Sequence, residues 1–210
     1  MPTCEVIREA VAKYNAENSR DDLALRSALT LIHSLPPSLG RFLAEVCLIA
    51  DWGSIRLDGF PFRDRLAMAG EIETSWPLLE TMRSWRAENW DAETLLLTRG
   101  VELLSSHSHL LPTPGVKNRQ LSFISKYLHR CVNEAFPIWD GNARAAMDHE
   151  NDETTWPCYS GWLICVRDEA AKHKACCLEQ VGLPGESLVR TLDKALYIIG
   201  GEKKKRDQVG

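Results

Sequence analysis

The chain has 210 residues, of which 44% are hydrophobic and 26% are charged, and its formal net charge is −4. These values are typical of a globular protein, and they exclude a disordered or fibrous chain and a protein that coats nucleic acid by bulk attraction. There is no apolar run of the roughly 18 residues that a membrane helix needs. The first residues lack a signal-peptide pattern, and the seven cysteines include no C-x-x-C pair. We therefore expect a cytoplasmic protein with reduced thiols and no membrane contact.

The first part of the chain shows helical periodicity between clear start and stop signals. Apolar residues spaced i, i+3, i+4 and i+7 predict a helix from Cys4 to Tyr14. Asp21-Asp22 predicts the start of a second helix, which Pro36-Pro37 ends. Ser38 is the expected N-cap of a third helix over residues 41–50.

The next part alternates between helix breakers and apolar runs. Glycine and proline residues within 51–70 predict a long surface loop. Thr74 or Ser75 is expected to cap a helix that has Pro77 in its first turn. A further helix is predicted over residues 92–106, and the Pro-Gly-rich stretch 111–115 is the strongest break in the chain.

The last part predicts four more helices. The first two run from about Asn118 to Val132 and from about Asp140 to Met147, and a short turn that ends at Pro137 separates them. A third passes through Trp162, and the last begins near 184–187 and ends before Gly200-Gly201.

All predicted elements are helical, so the sequence predicts a compact all-α fold of about eight to ten helices. We expect a single domain over residues 1–201, with two lobes, about 1–110 and 111–201, as the alternative. The basic run within 202–210 is typical of a flexible, solvated tail.

Most familiar catalytic motifs are absent from the sequence. It contains no P-loop, no G-x-G-x-x-G, no G-x-S-x-G and no H-E-x-x-H. His107 and His109 stand two residues apart, a spacing that does not put both rings on one helix face. We therefore expect neither a metal nor a cofactor.

The segment from Lys117 to Arg144 combines a local positive charge with candidate catalytic groups. Its five basic and two acidic residues give a net charge of +3, which suits a protein that grips one site on DNA. Ordinary variation of surface charge is the alternative. Lys126 lies on the first of the two helices, 136–138 form an apolar plug, and Asp140 opens the second helix, where the helix dipole stabilises a carboxylate.

Ser125-Lys126 followed by Phe136-Pro137-Ile138-Trp139-Asp140 resembles the Lys-to-Asp region of the helix-hairpin-helix DNA glycosylase superfamily, especially its 8-oxoguanine DNA glycosylase-like branch. The resemblance covers residues 112–147 and implies a glycosylase-like fold with a helix-turn-helix Lys/Asp core. Two features depart from the family pattern. The second glycine of the phosphate-binding hairpin is missing near Gly115, and the Lys-to-Asp interval of fourteen residues is short. No iron–sulphur cysteine set is present.

The resemblance implies a base-excision enzyme that acts on DNA as a monomer. Lys126 would be the nucleophile, since desolvation favours the neutral amine, and Asp140 would stabilise positive charge on the sugar. The remaining residues expected to contact DNA or the extruded base are Lys117, Asn118, Arg119, Ser125, His129, Trp139 and Arg144. The base itself, an oxidised purine or a hypermodified base of phage DNA, and strand cleavage after its removal are open.

Each of these residues also has an ordinary structural interpretation. Lys126 could be a solvated surface residue, Asp140 a simple helix cap and Trp139 a core residue. Arg119 and Arg144 could serve as ion-pair partners. A non-catalytic helical module that binds DNA or protein, or a phage-defence effector that cleaves nothing, is therefore the alternative function.

Overall fold

A computed structural model of the chain describes residues 2–52, 62–84, 99–102, 119–149, 156–174, 178–183 and 185–208. All the secondary structure within these ranges is helical, and they contain no β-strand. The predicted all-α class is therefore confirmed.

The first helix, α1, spans Cys4–His33 without interruption. The prediction of two helices, with a new start at Asp21-Asp22, is wrong. No glycine or proline lies between Tyr14 and Asp22 to break the helix, and the Asp22 carboxylate does not cap a helix because it is buried and bonded to Arg130 and Arg190.

The second and third helices, α2 and α3, pack against each other. Helix α2 spans Leu39–Trp52, and the hydroxyl oxygen of Ser38 accepts the Arg41 N–H at 3.3 Å, as predicted. Helix α3 spans Phe62–Ser84, so the second half of the predicted 51–70 loop is helical, while residues 53–61 lie outside the described residues.

Pro77 lies inside α3 and not in the first turn of a new helix. The prediction of a cap at Thr74 or Ser75 is wrong, because one buried apolar face continues across both residues. Its members recur at helical spacing and are Ala69, Ile72, Trp76, Leu79 and Met82. Of the helix predicted over 92–106, only residues 99–102 are described, and they are helical.

The central part of the chain agrees with the prediction. Helix α4 spans Arg119–Tyr127 and continues into a π-helical turn, Leu128–Val132. After a short extended connection comes helix α5, Gly141–Ala146, with Asp140 as its N-cap.

The last part contains helices α6 (Trp156–His173), α7 (Glu179–Val181) and α8 (Leu188–Asp207). Helix α8 passes through Gly200-Gly201, so the predicted flexible tail is wrong for residues 202–207. Lys203 ties this extension to the end of α5, because its ammonium donates to the Ala145 carbonyl at 2.9 Å and to Asp148 at 2.6 Å.

Helix α8 organises the core, since it packs against α1, α5 and α6. The buried apolar side chains, from Ile7 near the start to Ile198 near the end, form one cluster. Among the described residues, Cys47, Cys131, Cys158 and Cys165 form no disulfide. Cys4 is disulfide-bonded, so the expectation of reduced thiols is wrong for this residue.

Candidate active site

A cavity of about 760 Å³ lies where α1 and α8 meet the connection between α4 and α5. This volume falls within the range of small-molecule binding sites. Both predicted catalytic side chains line it, Lys126 from α4 and Asp140 from the N-cap of α5. The fold therefore brings the amine and the carboxylate to one cavity.

Lys126 is half-buried. Burial lowers the pKa of its ammonium below the ordinary value, and the negative charge of Asp140 opposes that shift without cancelling it. A lysine whose pKa is lowered is neutral more of the time, and only a neutral amine is a nucleophile.

Asp140 caps α5 and lines the cavity at the same time. Its Oδ1 accepts the backbone N–H of Asn142 at 2.7 Å and that of Ala143 at 3.4 Å. These two bonds fix the orientation of the carboxylate, because a cap bonded to two backbone amides cannot rotate freely. The capping interpretation and the functional one are therefore compatible.

A hydrogen bond between Ser125 and Trp139 links the two elements that carry Lys126 and Asp140. The Trp139 backbone N–H donates to Ser125 Oγ at 2.8 Å, and Ser125 Oγ donates to the Ser122 carbonyl at 3.0 Å. Since Lys126 follows Ser125 and Asp140 follows Trp139, this hydrogen bond joins the backbone neighbours of both residues.

The rest of the connection is held by buried side chains on both sides. His129 Nδ1 donates to the Phe136 carbonyl at 2.8 Å. From α6, the Tyr159 hydroxyl donates to the Pro137 carbonyl at 2.8 Å and Trp162 Nε1 to the Ile138 carbonyl at 3.3 Å. The connection is thus a fixed support for Asp140.

Three residues that were predicted to contact the extruded base do not line the cavity. Ser125, His129 and Trp139 are buried, and none of the three is among the described residues that line the cavity. Ser125 Oγ, His129 Nδ1 and the Trp139 backbone N–H instead make hydrogen bonds that hold the connection between α4 and α5.

The expected phosphate contacts are only partly described. The Arg144 guanidinium stacks on the Trp139 ring at 4.6 Å and donates to the His149 carbonyl at 3.3 Å. Lys117 and Asn118 lie outside the described residues, as does the side chain of Arg119.

Several cavity residues were missed by sequence reasoning. Tyr14 and Trp52 come from α1 and α2, and Arg190, Asp193 and Tyr197 come from α8. One available signal was charge on a buried face, because Arg190 and Asp193 interrupt an otherwise apolar helical stripe.

A buried ion cluster stands behind the cavity wall around Asp22. Its carboxylate accepts hydrogen bonds from Arg130 Nη2 at 2.9 Å, from Trp52 Nε1 at 3.2 Å and from Arg190. Burial alone raises the pKa of Asp22, but the attraction of Arg190 and Arg130 outweighs it, and the net shift is downward. The carboxylate therefore stays ionised and fixes Arg190 at the cavity.

One group among the described residues has metal-ligand chemistry, namely His33, Glu45 and Cys131, whose ligand atoms lie within 4.8 Å of one another. Glu45 already accepts Arg41 Nε at 2.9 Å and the Tyr127 hydroxyl at 2.6 Å. Burial raises the pKa of the Cys131 thiol well above its ordinary value. Because a guanidinium supplies the positive charge and the thiol keeps its proton, the group fits an internal ion pair better than a cation site.

Comparison with protein-family models, with characterised proteins and with solved structures finds no match for this chain. Within the described ranges, no helix combines the length and the apolar character that crossing a bilayer requires.

Proposed function

We propose that this protein is a DNA glycosylase that removes a damaged or modified base, with Lys126 as nucleophile and Asp140 as charge stabiliser. One observation carries the proposal: Lys126 and Asp140 line the same cavity. The lowered pKa of Lys126 supports it, because the proposed step needs a neutral amine.

In the proposed reaction, the Nζ lone pair of Lys126 attacks the sugar carbon C1′. The C1′–N bond to the base breaks, and its electron pair leaves with the base. One of the two protons on the nitrogen balances the charge of the departing base. The C1′–O4′ bond of the sugar then breaks as a C1′=N double bond forms, and the ring oxygen takes the second nitrogen proton, so a Schiff base joins Lys126 to C1′. Asp140 stabilises the positive charge that builds up on the sugar as the base departs.

The charged side chains of the cavity fit the roles proposed for Lys126 and Asp140. Asp21, Asp51 and Asp140 line it beside Lys126 and Arg190, and these three carboxylates would favour a sugar that becomes cationic. We expect the phosphates to stay outside, beside the basic end of α8, where the Lys204 ammonium lies next to Gly141. Tyr14, Trp52 and Tyr197 supply aromatic surface for an extruded base.

Borohydride trapping tests the proposal, because borohydride reduces a Schiff base to a stable secondary amine. The substrates are an abasic duplex, an 8-oxoguanine duplex and phage DNA with hypermodified bases. The wild-type chain is expected to form a covalent complex with the abasic duplex and with the duplex that carries its substrate base.

Two variants make the result specific. Lys126→Arg keeps the positive charge but cannot form a Schiff base, so trapping should disappear. Lys174→Ala removes a lysine that is exposed and lies outside the cavity lining, so trapping should continue. Failure of the wild-type chain to trap any substrate, or continued trapping by Lys126→Arg, would contradict the proposal.

A further inference from the structure

Asp193, on α8, is a second buried carboxyl group in the same cavity. It is only 4% exposed and lines the cavity together with Lys126 and Asp140. Its Oδ2 accepts the Ile138 backbone N–H at 3.2 Å. Its Oδ1 is buried and has no hydrogen-bond partner in the described part of the chain. A buried oxygen without a partner is costly unless a proton or a ligand satisfies it.

The surroundings of Asp193 do not supply a dedicated counter-charge. His129 Nδ1 lies 3.8 Å from Oδ2 but donates to the Phe136 carbonyl. Burial, reinforced by the nearby Arg130, lowers the pKa of His129 well below its ordinary value, so the ring is neutral. Arg190 is bonded to Tyr14 and Asp22.

Other charged and titratable groups face Asp193 from the neighbouring elements. Asp140 disfavours a second negative charge, while Arg190 and Arg130 favour one. Tyr159, from α6, also interacts with it, and burial keeps the pKa of this phenol well above its ordinary value. Burial outweighs the two guanidiniums and raises the pKa of Asp193 to about 7. The group therefore carries a proton in a large part of the molecules at neutral pH.

We infer that Asp193 is a further catalytic residue, whose protonated Oδ1 gives its proton to the departing base. This inference rests on the proposed glycosylase function. The O–H bond of Asp193 breaks and an N–H bond forms on the base, so that the base leaves as a neutral molecule. The proton that Lys126 Nζ releases after attack restores the acid. The substrate class is then a base whose ring nitrogen can accept a proton.

The two carboxyl groups of the cavity thus have different surroundings and different roles. Asp140 accepts two backbone N–H groups, whereas Asp193 sits in a more buried place with one oxygen unbonded. Enzymes that pair an acidic and an ionised carboxyl group obtain both roles from such a difference in environment.

An Asp193→Asn variant tests the inference on two substrates. An abasic duplex has already lost its base, so its reaction with Lys126 needs no acid for a leaving base. We expect Asp193→Asn to trap the abasic duplex within a few-fold of wild type, whereas release of the modified base falls about 100-fold or more. Asp168→Asn, an isosteric change on the exposed face of α6, is expected to alter neither reaction.

The pH profile is a readout that a purely structural role would not change. The ratio of base release by wild type to base release by Asp193→Asn, both at limiting substrate, should fall as the pH rises through about 7, because Asp193 loses its proton there. The titration of Lys126 affects both proteins alike and does not change this ratio. Asp193→Glu should restore part of the pH dependence that Asp193→Asn lacks.

Three other outcomes would overturn the inference, and the experiments distinguish them. Normal base release by Asp193→Asn shows that Asp193 is not the acid, while the glycosylase proposal stands. Loss of abasic trapping by Asp193→Asn shows that Asp193 supports the structure of the cavity instead. Failure of wild type to trap any substrate overturns the proposed function, and this inference with it.

Discussion

Asp140 shows how one side chain serves structure and chemistry together. It ends the connection from Phe136, caps α5 with two hydrogen bonds and lines the cavity beside Lys126. Asparagine caps a helix about as well as aspartate but carries no charge, whereas alanine does neither. The two roles of Asp140 can therefore be separated by substitution.

We expect Asp140→Asn to unfold at nearly the wild-type temperature while its base release falls by about two orders of magnitude, because only the stabilising charge is lost. Asp140→Ala should lose the same activity and, in addition, about 1 kcal/mol of stability. Thermal unfolding followed by circular dichroism and a base-release assay measure the two effects. Equal activity of Asp140→Asn and wild type would remove Asp140 from the mechanism.

The protonation of Asp193 has a consequence for stability that does not depend on any reaction. Burial, opposed by Arg190, raises its pKa in the folded chain to about 7, against about 3.9 for an unfolded aspartate. Between these values the folded state holds a proton that the unfolded state lacks. Wild type should therefore lose stability from this group as the pH rises from 4 to 7, by up to about 1.4 kcal/mol per pH unit.

Asp193→Asn cannot titrate, so its stability relative to wild type should improve between pH 5 and pH 8. Urea unfolding of both proteins at the two pH values measures this difference. A difference that is independent of pH, or that changes in the opposite direction, would show that the folded carboxyl group is not protonated near neutrality.

At the scale of single residues, the sequence predicted the candidate site where its residues are close together in the chain. Lys126, the apolar plug and Asp140 lie within fifteen residues, and the structure places both ends of the pattern at the cavity. The burial of Trp139 agrees with the core interpretation of that residue, whereas the burial of Ser125 and His129 could not be predicted, because it depends on elements that are distant in sequence. Asp193 was missed for the same reason.

At the scale of the elements, two predicted caps are confirmed and one is wrong. Ser38 and Asp140 accept backbone N–H groups in the first turns of α2 and α5, whereas Thr74 and Ser75 lie inside α3. The breaks that failed, such as Pro77 and Gly200, lie inside helices with a long buried face. Packing of that face outweighs the local cost of a proline or a glycine.

Gly200 also has a positive role, because the backbone of α5 lies close to α8 there. A Cβ at this position would lie 1.7 Å from the Asn142 carbonyl oxygen, whereas one at Gly161 on α6 would meet nothing within 4 Å. No rotation of a side chain can relieve a clash with the backbone of α5. The glycine lets the two helices pack at a distance that other residues forbid.

Gly200→Ala should therefore lower the free energy of unfolding by about 1–3 kcal/mol and reduce trapping, because α5 carries Asp140 at its start. Gly161→Ala, the matched control, should raise stability by up to about 1 kcal/mol, since alanine is the better helix former. Chemical unfolding measures both changes. Wild-type stability of Gly200→Ala would show that α5 does not lie this close to α8.

At the scale of the whole molecule, the Asp22 cluster joins parts of the chain that are far apart in sequence. Asp22 lies on α1, Arg130 in the π-helical turn and Arg190 on α8. The three come together beneath the cavity, where Trp52 stacks against Arg130 at 4.5 Å. The cluster fixes how the first and last helices meet, and so the shape of the cavity.

Replacing Asp22 by asparagine leaves two buried guanidiniums without their carboxylate, which should cost about 3–5 kcal/mol. The pKa of Asp22 is lowered in the folded chain because its two arginines outweigh burial. Its contribution is therefore full above the unfolded pKa of about 3.9 and is lost as the pH falls through the lower folded value.

Melting temperatures of wild type and Asp22→Asn between pH 2 and pH 7 test this prediction. The gap between them should be widest near neutrality and should narrow as the pH falls below about 4. Glu202→Gln is the control, because its partner Lys13 and Glu202 are both about half exposed, at 46% and 52%, and such pairs stabilise little. A gap that stays constant with pH would contradict the assignment of a depressed pKa.

The central claim is that Lys126 is the reactive amine of the cavity, and the most direct measurement is to locate the trapped sugar. After borohydride reduction on an abasic duplex, proteolysis and tandem mass spectrometry identify the modified residue. We predict that the sugar is attached to Lys126, with no more than traces elsewhere. Attachment to another lysine or to the terminal amine, with Lys126 unmodified, would contradict the account.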